Sequence, residues 1–370
     1  MKVPLLDVRR QNAPLDAELS AAFQRVLASG QYILGGEVED FERSIAALAG
    51  ARHGIAVSSG TDAILLALMT LGIGPGDEVI CPAFTFFATG GCVARAGARP
   101  VFVDSCPVCF NIDPESFARS VTPRAKAVIP VHLFGQTAHM QEVTEIARRH
   151  GLRVIEDAAQ ALGAAYHGRP AGSMGDFGTF SFYPSKNLGG FGDAGMLVTS
   201  DDGLAARARL LRCHGAERKY FHRAIGGNFR MDPLQAALLS VKAPHLELYS
   251  RARAANAAAY TERLAAAAGA AREIVLPAAH EGHLHIWNQY TLCLANRRDT
   301  LRQWLAGRGI GSEIYYPVPL HRQQCFAGLG PPSSLPVAER LASECLSIPV
   351  FAELTPEERE YVMAAICEFP

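Results

Sequence analysis

Apolar residues recur at helical spacing over 16–29 (Leu19, Phe23, Val26 and Leu27) and again over 37–49, which predicts two helices near the start of the chain. After residue 50 the pattern changes. Short apolar runs now alternate with amphipathic ones. GIAVSSGTDAILLALMTLGIGPGDEVICPAF reads as a strand at 55–57, a glycine turn, a helix over 62–71, a glycine-proline turn and a strand at 78–81. The same order continues with strands near 101–103 and 127–131, a helix over 142–150 and a strand ending near 155. GTFSFYP and GMLVTS add two more strands.

Short apolar strands alternating with helices predict an α/β fold, a mostly parallel sheet of seven strands sandwiched by helices. Such sheets bind ligands beyond the strand ends. The residues to watch are therefore those at 58–61, 82–87, 132–136, 156–160 and 183–186. Near Asp232 the pattern gives way to a long alanine-rich helical region, in which 254–271 is biased in composition but reads as helix. A strand-like run at 289–294 and helices over 299–308 and 356–367 follow. The expected organisation is a large domain over 1–240 and a smaller α+β domain over 241–370.

Composition narrows the class. The chain has 370 residues, 49% hydrophobic and 19% charged, with a formal net charge of −1. That is a globular, enzyme-like balance, without a global field to draw nucleic acid or an anionic membrane surface. No run of about 18 apolar residues suggests a membrane span. The polar, proline-broken start MKVPLLDVRRQNAPLD does not resemble a signal peptide. Nine scattered cysteines then read as reduced cytosolic thiols, and a cytoplasmic enzyme is expected.

Three motif matches fail on context. GFGDAG (190–195) fits a dinucleotide-binding pattern, but it precedes a strand instead of opening a helix. HEGHLH (280–285) lacks the spacing of a zinc-protease helix and contains a glycine, so it reads as a surface loop. Cys106 and Cys109 form an isolated CxxC with no second pair at finger spacing, so no metal site is expected.

FSFYPSKNLGGFGDAG (180–195) carries more. It runs an apolar strand into a single lysine, Lys186, and then places four glycines within seven positions. A lysine at such a seam must be neutralised, paired or chemically used. With a lowered pKa it can attack an aldehyde and form a Schiff base, and pyridoxal 5′-phosphate (PLP) is the common protein-bound aldehyde of that kind. PLP makes further demands. Its phosphate suits backbone N–H groups at a helix start, which Gly60 and Thr61 of SSGTDA would offer; the competing reading is a plain helix cap. Its pyridine nitrogen wants a carboxylate, and Asp157 of VIEDAAQ lies just past an apolar strand, 29 residues before the lysine. The neighbouring Glu156 would face the other way in an extended chain. Gln160 could donate to the ring oxygen. An aromatic stacking partner could come from Phe84, Phe86 or Phe87 of PAFTFFATG.

In this order the elements resemble the DegT/DnrJ/EryC1/StrS family of sugar aminotransferases, PLP enzymes of fold type I within the aspartate aminotransferase superfamily. The resemblance runs from PLLDVRRQ through GDEVICPAFTFFAT, VHLFGQ, VIEDAAQALGA and FSFYPSKNLGGFGDAGMLVT to GGNFRMDPLQAALLSVK and YYPVPLH. It implies that Lys186 carries PLP, that Asp157 binds the pyridine nitrogen and Gln160 the ring oxygen, and that Phe86 stacks on the ring. Gly60, Thr61 and Ser181 would hold the phosphate, and Asn228 would reach it from the other subunit of a homodimer. The implied reaction is ping-pong, with pyridoxamine phosphate as intermediate, L-glutamate as donor and a nucleotide-linked keto sugar as acceptor. A 3-keto UDP- or dTDP-sugar is favoured. Candidate substrate contacts are Tyr183, Lys219, His222, Arg230, Tyr316 and His321. A cyclitol ketone of the scyllo-inosose type is an alternative acceptor. A related sugar dehydratase would have histidine in place of Lys186, and a non-catalytic regulatory protein would show damage to this constellation.

Overall fold

In the computed structural model, which describes residues 1–267, 273–329 and 334–370, the apolar runs of the first 200 residues build one seven-stranded sheet. Its spatial order is His53–Val57, Gly195–Thr199, Phe177–Ser181, Arg153–Asp157, Ala125–Val128, Glu78–Pro82 and Arg99–Val103. Gly195–Thr199 runs antiparallel to both neighbours, and every other pairing is parallel, so the expectation of a mostly parallel sheet holds.

Alternation along the strands explains the layers. Ile55, Val57, Val79, Cys81 and Leu197 point to one face, where they pack with Ile64, Leu66 and Leu68 of the helix Gly60–Leu71 and with Cys92 and Val93 of the helix Phe87–Arg95. The intervening residues face the other way. Ala56, Phe180, Met196 and Val198 meet Val38, Phe41 and Ile45 of the helix Gly36–Leu48. Ile80, Val128 and Val154 meet Phe117, Met140 and Val143. A side-chain period of two thus buries both faces, and helices must cover each.

The expected long helix after Asp232 is two helices, Pro233–Lys242 and Leu246–Ala265, separated by a 3-10 turn at Ala243–His245. Pro244 lies in that turn and supplies no backbone N–H to continue the ladder. Residues 268–271 of the alanine-rich stretch lie outside the described residues. Beyond it, Tyr290–Cys293 pairs antiparallel with Cys345–Ile348. This pair packs with Tyr260, Leu301, Leu305, Val362 and Ile366 in a core of its own. Val3 belongs to that core and bridges to Ile310, so the first residues of the chain pack with its C-terminal part. Arg10 reinforces the strap with a two-pronged ion pair to Glu358, at 2.7 and 2.8 Å. We propose a division into two domains near residue 240, with this N-terminal strap reaching across it.

Candidate active site

The C-terminal ends of the parallel strands converge on one edge of the sheet. His53–Val57 leads into the turn at 58–59 and the helix Gly60–Leu71. The helix opens two residues earlier than its apolar pattern suggests, because Ser59 is the N-cap and its hydroxyl accepts from Asp62 N–H (3.0 Å). Gly60 and Thr61 are then the first helical residues, and among the described residues their N–H groups have no partner. Ser181, the last residue of its strand, stands against this turn. A Cβ on Gly60 would lie 2.8 Å from the Ser181 Cβ, so only glycine leaves the gap open. Two free N–H groups at a helix start beside a hydroxyl are the donors that a bound phosphate would need.

Asp157 ends the neighbouring strand and is buried. Thr89 donates to its Oδ2 at 2.8 Å, and the Ala159 N–H lies 3.2 Å from Oδ1. Burial nonetheless pushes its pKa up, against the lowering from Thr89, from the Ala159 N–H and from the Lys186 and His132 charges. Among the described residues no cation forms an ion pair with this carboxylate, and a protonated pyridine nitrogen would supply one. Glu156 does face the opposite way. It accepts from the N–H groups of Gly172 (2.8 Å), Met174 (2.5 Å) and Gly175 (2.6 Å) and lies 2.9 Å from His132 Nε2.

Lys186 sits in the turn after Phe177–Ser181, half-buried by its surface area. Desolvation pulls its pKa down to about 8, against the opposing pull of the Asp157 charge. Among the described residues it makes no ion pair and no side-chain hydrogen bond. Lys186, Gln160 and Ser181 line one small cavity together with Asn187, Ile286 and Asn288. The Gln160 Nε2 lies 3.2 Å from the Tyr316 hydroxyl, and its Oε1 accepts from Phe134 N–H at 2.7 Å. Phe86 precedes the helix Phe87–Arg95, is 56% exposed, and lies 6.0 Å from the Tyr316 ring.

The remaining sequence candidates divide. Tyr183 is exposed. Arg230 forms a bridge with Val57 at the base of the turn at 58–59, and its Nε is buried without a partner among the described residues. Lys219 and His222 belong to the exposed hairpin Ala216–Arg218 and Phe221–His222, where Lys219 lies over the Tyr220 ring and His222 Nδ1 meets the His214 carbonyl (2.9 Å). Asn228 is exposed and pairs with Cys213. His321 is buried, 3.0 Å from Glu339. Sequence reasoning missed Thr89, Asn187 and Asn288. Thr89 has a faint signal in its spacing from Thr85, one helical turn earlier, whose hydroxyl it meets at 3.1 Å.

The fold and this site define a PLP-dependent aminotransferase of fold type I. Residues 14–367 match the model of the DegT/DnrJ/EryC1/StrS aminotransferase family, and the chain belongs to that family. It is 50% identical over 370 residues to the "Pleiotropic regulatory protein" of Geobacillus stearothermophilus, covering 100% of this chain and 99% of that one. It is 44% identical over 356 residues to a protein of Acidithiobacillus ferrooxidans named a UDP-N-acetyl-3-dehydro-alpha-D-glucosamine 3-aminotransferase, covering 96% and 95% of the two chains. Its fold superposes on the crystal structure of S. venezuelae DesV, solved in complex with a ketimine intermediate, with a TM-score of 0.95, 44% identity and coverage of 99% and 98%.

Proposed function

We propose that this aminotransferase moves the amino group of L-glutamate to the C3 keto group of a sugar carried on UDP or dTDP. The observation that carries the reading is the pairing of an intact lysine–carboxylate–phosphate cradle with 44% identity to a protein named for amination at C3 of a UDP-sugar. PLP supplies an electron sink that acidifies the α-carbon of the bound amino donor. In this reading Lys186 would hold the cofactor, and its amine would serve as the base and acid that moves a proton at the donor's α-carbon. Its pKa near 8 keeps a useful unprotonated fraction at neutral pH. Asp157 holds the pyridine proton, Gln160 orients the ring oxygen and Phe86 covers one ring face. Gly60, Thr61 and Ser181 grip the phosphate, and Asn228 of a second copy reaches it across a homodimer interface. Arg230 and Lys219 bring cationic donors suited to diphosphate or uronate oxygens, His222 adds an imidazole contact, Tyr183 and Tyr316 line the sugar side, and His321 contributes from the wall behind them.

The test is direct. Purified protein is given L-glutamate with 3-keto UDP-sugars, 3-keto dTDP-sugars or a cyclitol ketone, and 2-oxoglutarate and the aminated product are measured. Amination of a nucleotide sugar at C3 is expected. Turnover of the cyclitol alone overturns the acceptor assignment.

A further inference from the structure

Two motifs that look inert in the sequence meet in the folded chain. CPVC (106–109) forms a turn after the strand Arg99–Val103, closed by Cys106 N–H to Asn111 O (2.8 Å) and Phe110 N–H to Cys106 O (3.0 Å). The N–H groups of Val108 and Cys109 face the Cys106 sulfur. His139 stands at the N-cap position of the helix Met140–His150. The ligand atoms of Cys106, Cys109 and His139 all lie within 4.8 Å of one another, the one such group among the described residues. HEGHLH closes over them. The His139 ring is 5.2 Å from that of His280 and 5.3 Å from that of His283, and these two are 5.8 Å apart.

The histidines are oriented, and one is incomplete. The Gln136 Oε1 accepts from the backbone N–H of His280 at 2.8 Å and fixes the chain there, while the His280 Nε2 is buried with no partner among the described residues. His283 Nδ1 lies 2.9 Å from the Thr137 hydroxyl. Two thiols and an imidazole within 4.8 Å of one another, with the unpartnered His280 nitrogen on a ring 5.2 Å from that of His139, fit one kind of occupant: a borderline-soft divalent cation whose charge the two thiolates would balance. Ideal zinc–sulfur and zinc–nitrogen bonds place tetrahedral ligand atoms about 3.3–3.8 Å apart, so movements of about 1 Å would close Cys106, Cys109 and His139 on one ion, and His280 is the candidate for the fourth position.

We propose that Cys106, Cys109, His139 and His280 bind one tetrahedral zinc-class ion, a structural site separate from the cofactor. Binding expels the thiol protons and leaves no open position, so the ion serves as a clip. It ties the loop after the strand Arg99–Val103 to the segment at 280–288. That segment continues into Ile286 and Asn288, which line the Lys186 cavity. Asn187 holds both, donating to Ile286 O (3.1 Å) and accepting from Asn288 (2.8 Å). The clip therefore fixes a wall of the cofactor pocket from outside it.

The test uses the PLP-loaded protein, purified under reducing conditions and loaded with zinc. One zinc per chain is expected by elemental analysis, with loss in the C106S/C109S and His139→Ala variants. Cobalt(II) loaded instead should give tetrahedral d–d bands in the red, clear of the cofactor's absorbance and independent of any variant's folding. His280→Ala should weaken zinc in chelator competition on the order of tenfold or more. Zinc well below one equivalent in the wild type, full retention by C106S/C109S, an octahedral cobalt spectrum, or a Cys106–Cys109 disulfide in the reduced preparation each overturns the site. Unchanged affinity in His280→Ala overturns the fourth ligand.

Discussion

Lys186 is not the only lysine with a depressed pKa. Lys242 is also buried and also drawn down to about 8 by desolvation. The difference lies in the partners: Lys242 Nζ donates to Gly189 O at 2.6 Å, whereas Lys186 is uncommitted and faces a cavity. The sign of its shift makes two predictions. The unprotonated amine is the nucleophile, so the rate at which cofactor-free protein takes up PLP, followed by absorbance, should rise through pH 8 and level off, well below the 10.5 of an ordinary lysine. Charging a desolvated amine also costs the folded state, so that penalty is present below pH 8 and is relieved as pH rises toward 10.5. Denaturant titrations of the cofactor-free protein across that window should show a stability gain that Lys186→Ala lacks. The adjacent acids separate as sharply. Asp157→Asn should lower kcat on the order of 100-fold with little change in melting temperature. Glu156→Ala strips an acceptor from two buried N–H groups, at about 1–3 kcal/mol each, and from the half-buried N–H of Gly175, and should fail first in thermal melts. A Glu156→Ala variant that melts like wild type would refute the structural role.

At the scale of elements, the strand–turn–helix at 53–71 carries the phosphate site of our reading. Ser59 caps the helix with its own hydroxyl, so the N–H groups of Gly60 and Thr61 remain for a ligand. The antiparallel strand Gly195–Thr199 holds the turn from the other side: a Cβ on Gly195 would come within 2.4 Å of the Ser59 carbonyl atoms. Gly195, the last glycine of the run after Lys186, thus keeps a side chain off the Ser59–Gly60 turn. Gly60→Ala should raise the dissociation constant for PLP on the order of tenfold, by crowding Ser181, while Ser181→Ala should cost less, on the scale of one hydrogen bond to a charged group. Equilibrium dialysis against PLP measures both; equal, negligible effects would remove these residues from the phosphate site.

Across the whole molecule, apolar surface points to a missing partner. The helix Asp16–Ser29 buries Leu19, Ala22 and Val26 but leaves Phe23 and Leu27 of the same apolar stripe exposed. Phe191 is exposed beside Phe23 on one shallow cavity, and Tyr32, Ile33, Phe221 and Ile225 are exposed as well. Apolar groups exposed in this number are expected where a second copy packs. Sedimentation should therefore find a dimer. The exposed Asn228 gives the sharper test, since it belongs to the neighbouring site in our reading. Lys186→Ala and Asn228→Ala dimers, each inactive, should regain activity when exchanged, toward about a quarter of wild-type sites for random mixing of a two-fold dimer. No recovery on confirmed exchange would place Asn228 outside the shared site.

Local pattern determined much of this. Strand periodicity, turn glycines and the order of Gly60, Asp157 and Lys186 are written in neighbouring residues, and so is the opposed facing of Glu156 and Asp157, because an extended chain alternates its side chains. The sequence also places the helix at 356–367, where Thr355 and Glu358 form a reciprocal cap around Pro356. What it could not disclose depends on contacts between distant segments. Thr89 reaches Asp157 across 68 residues, and Val3 joins a core built from residues beyond 257. The cysteines at 106 and 109 meet His139, and His139 meets His280, only because the sheet and its loops bring them there. Spacing along the chain carries no information about such distances; only the folded packing decides which side chains share a site.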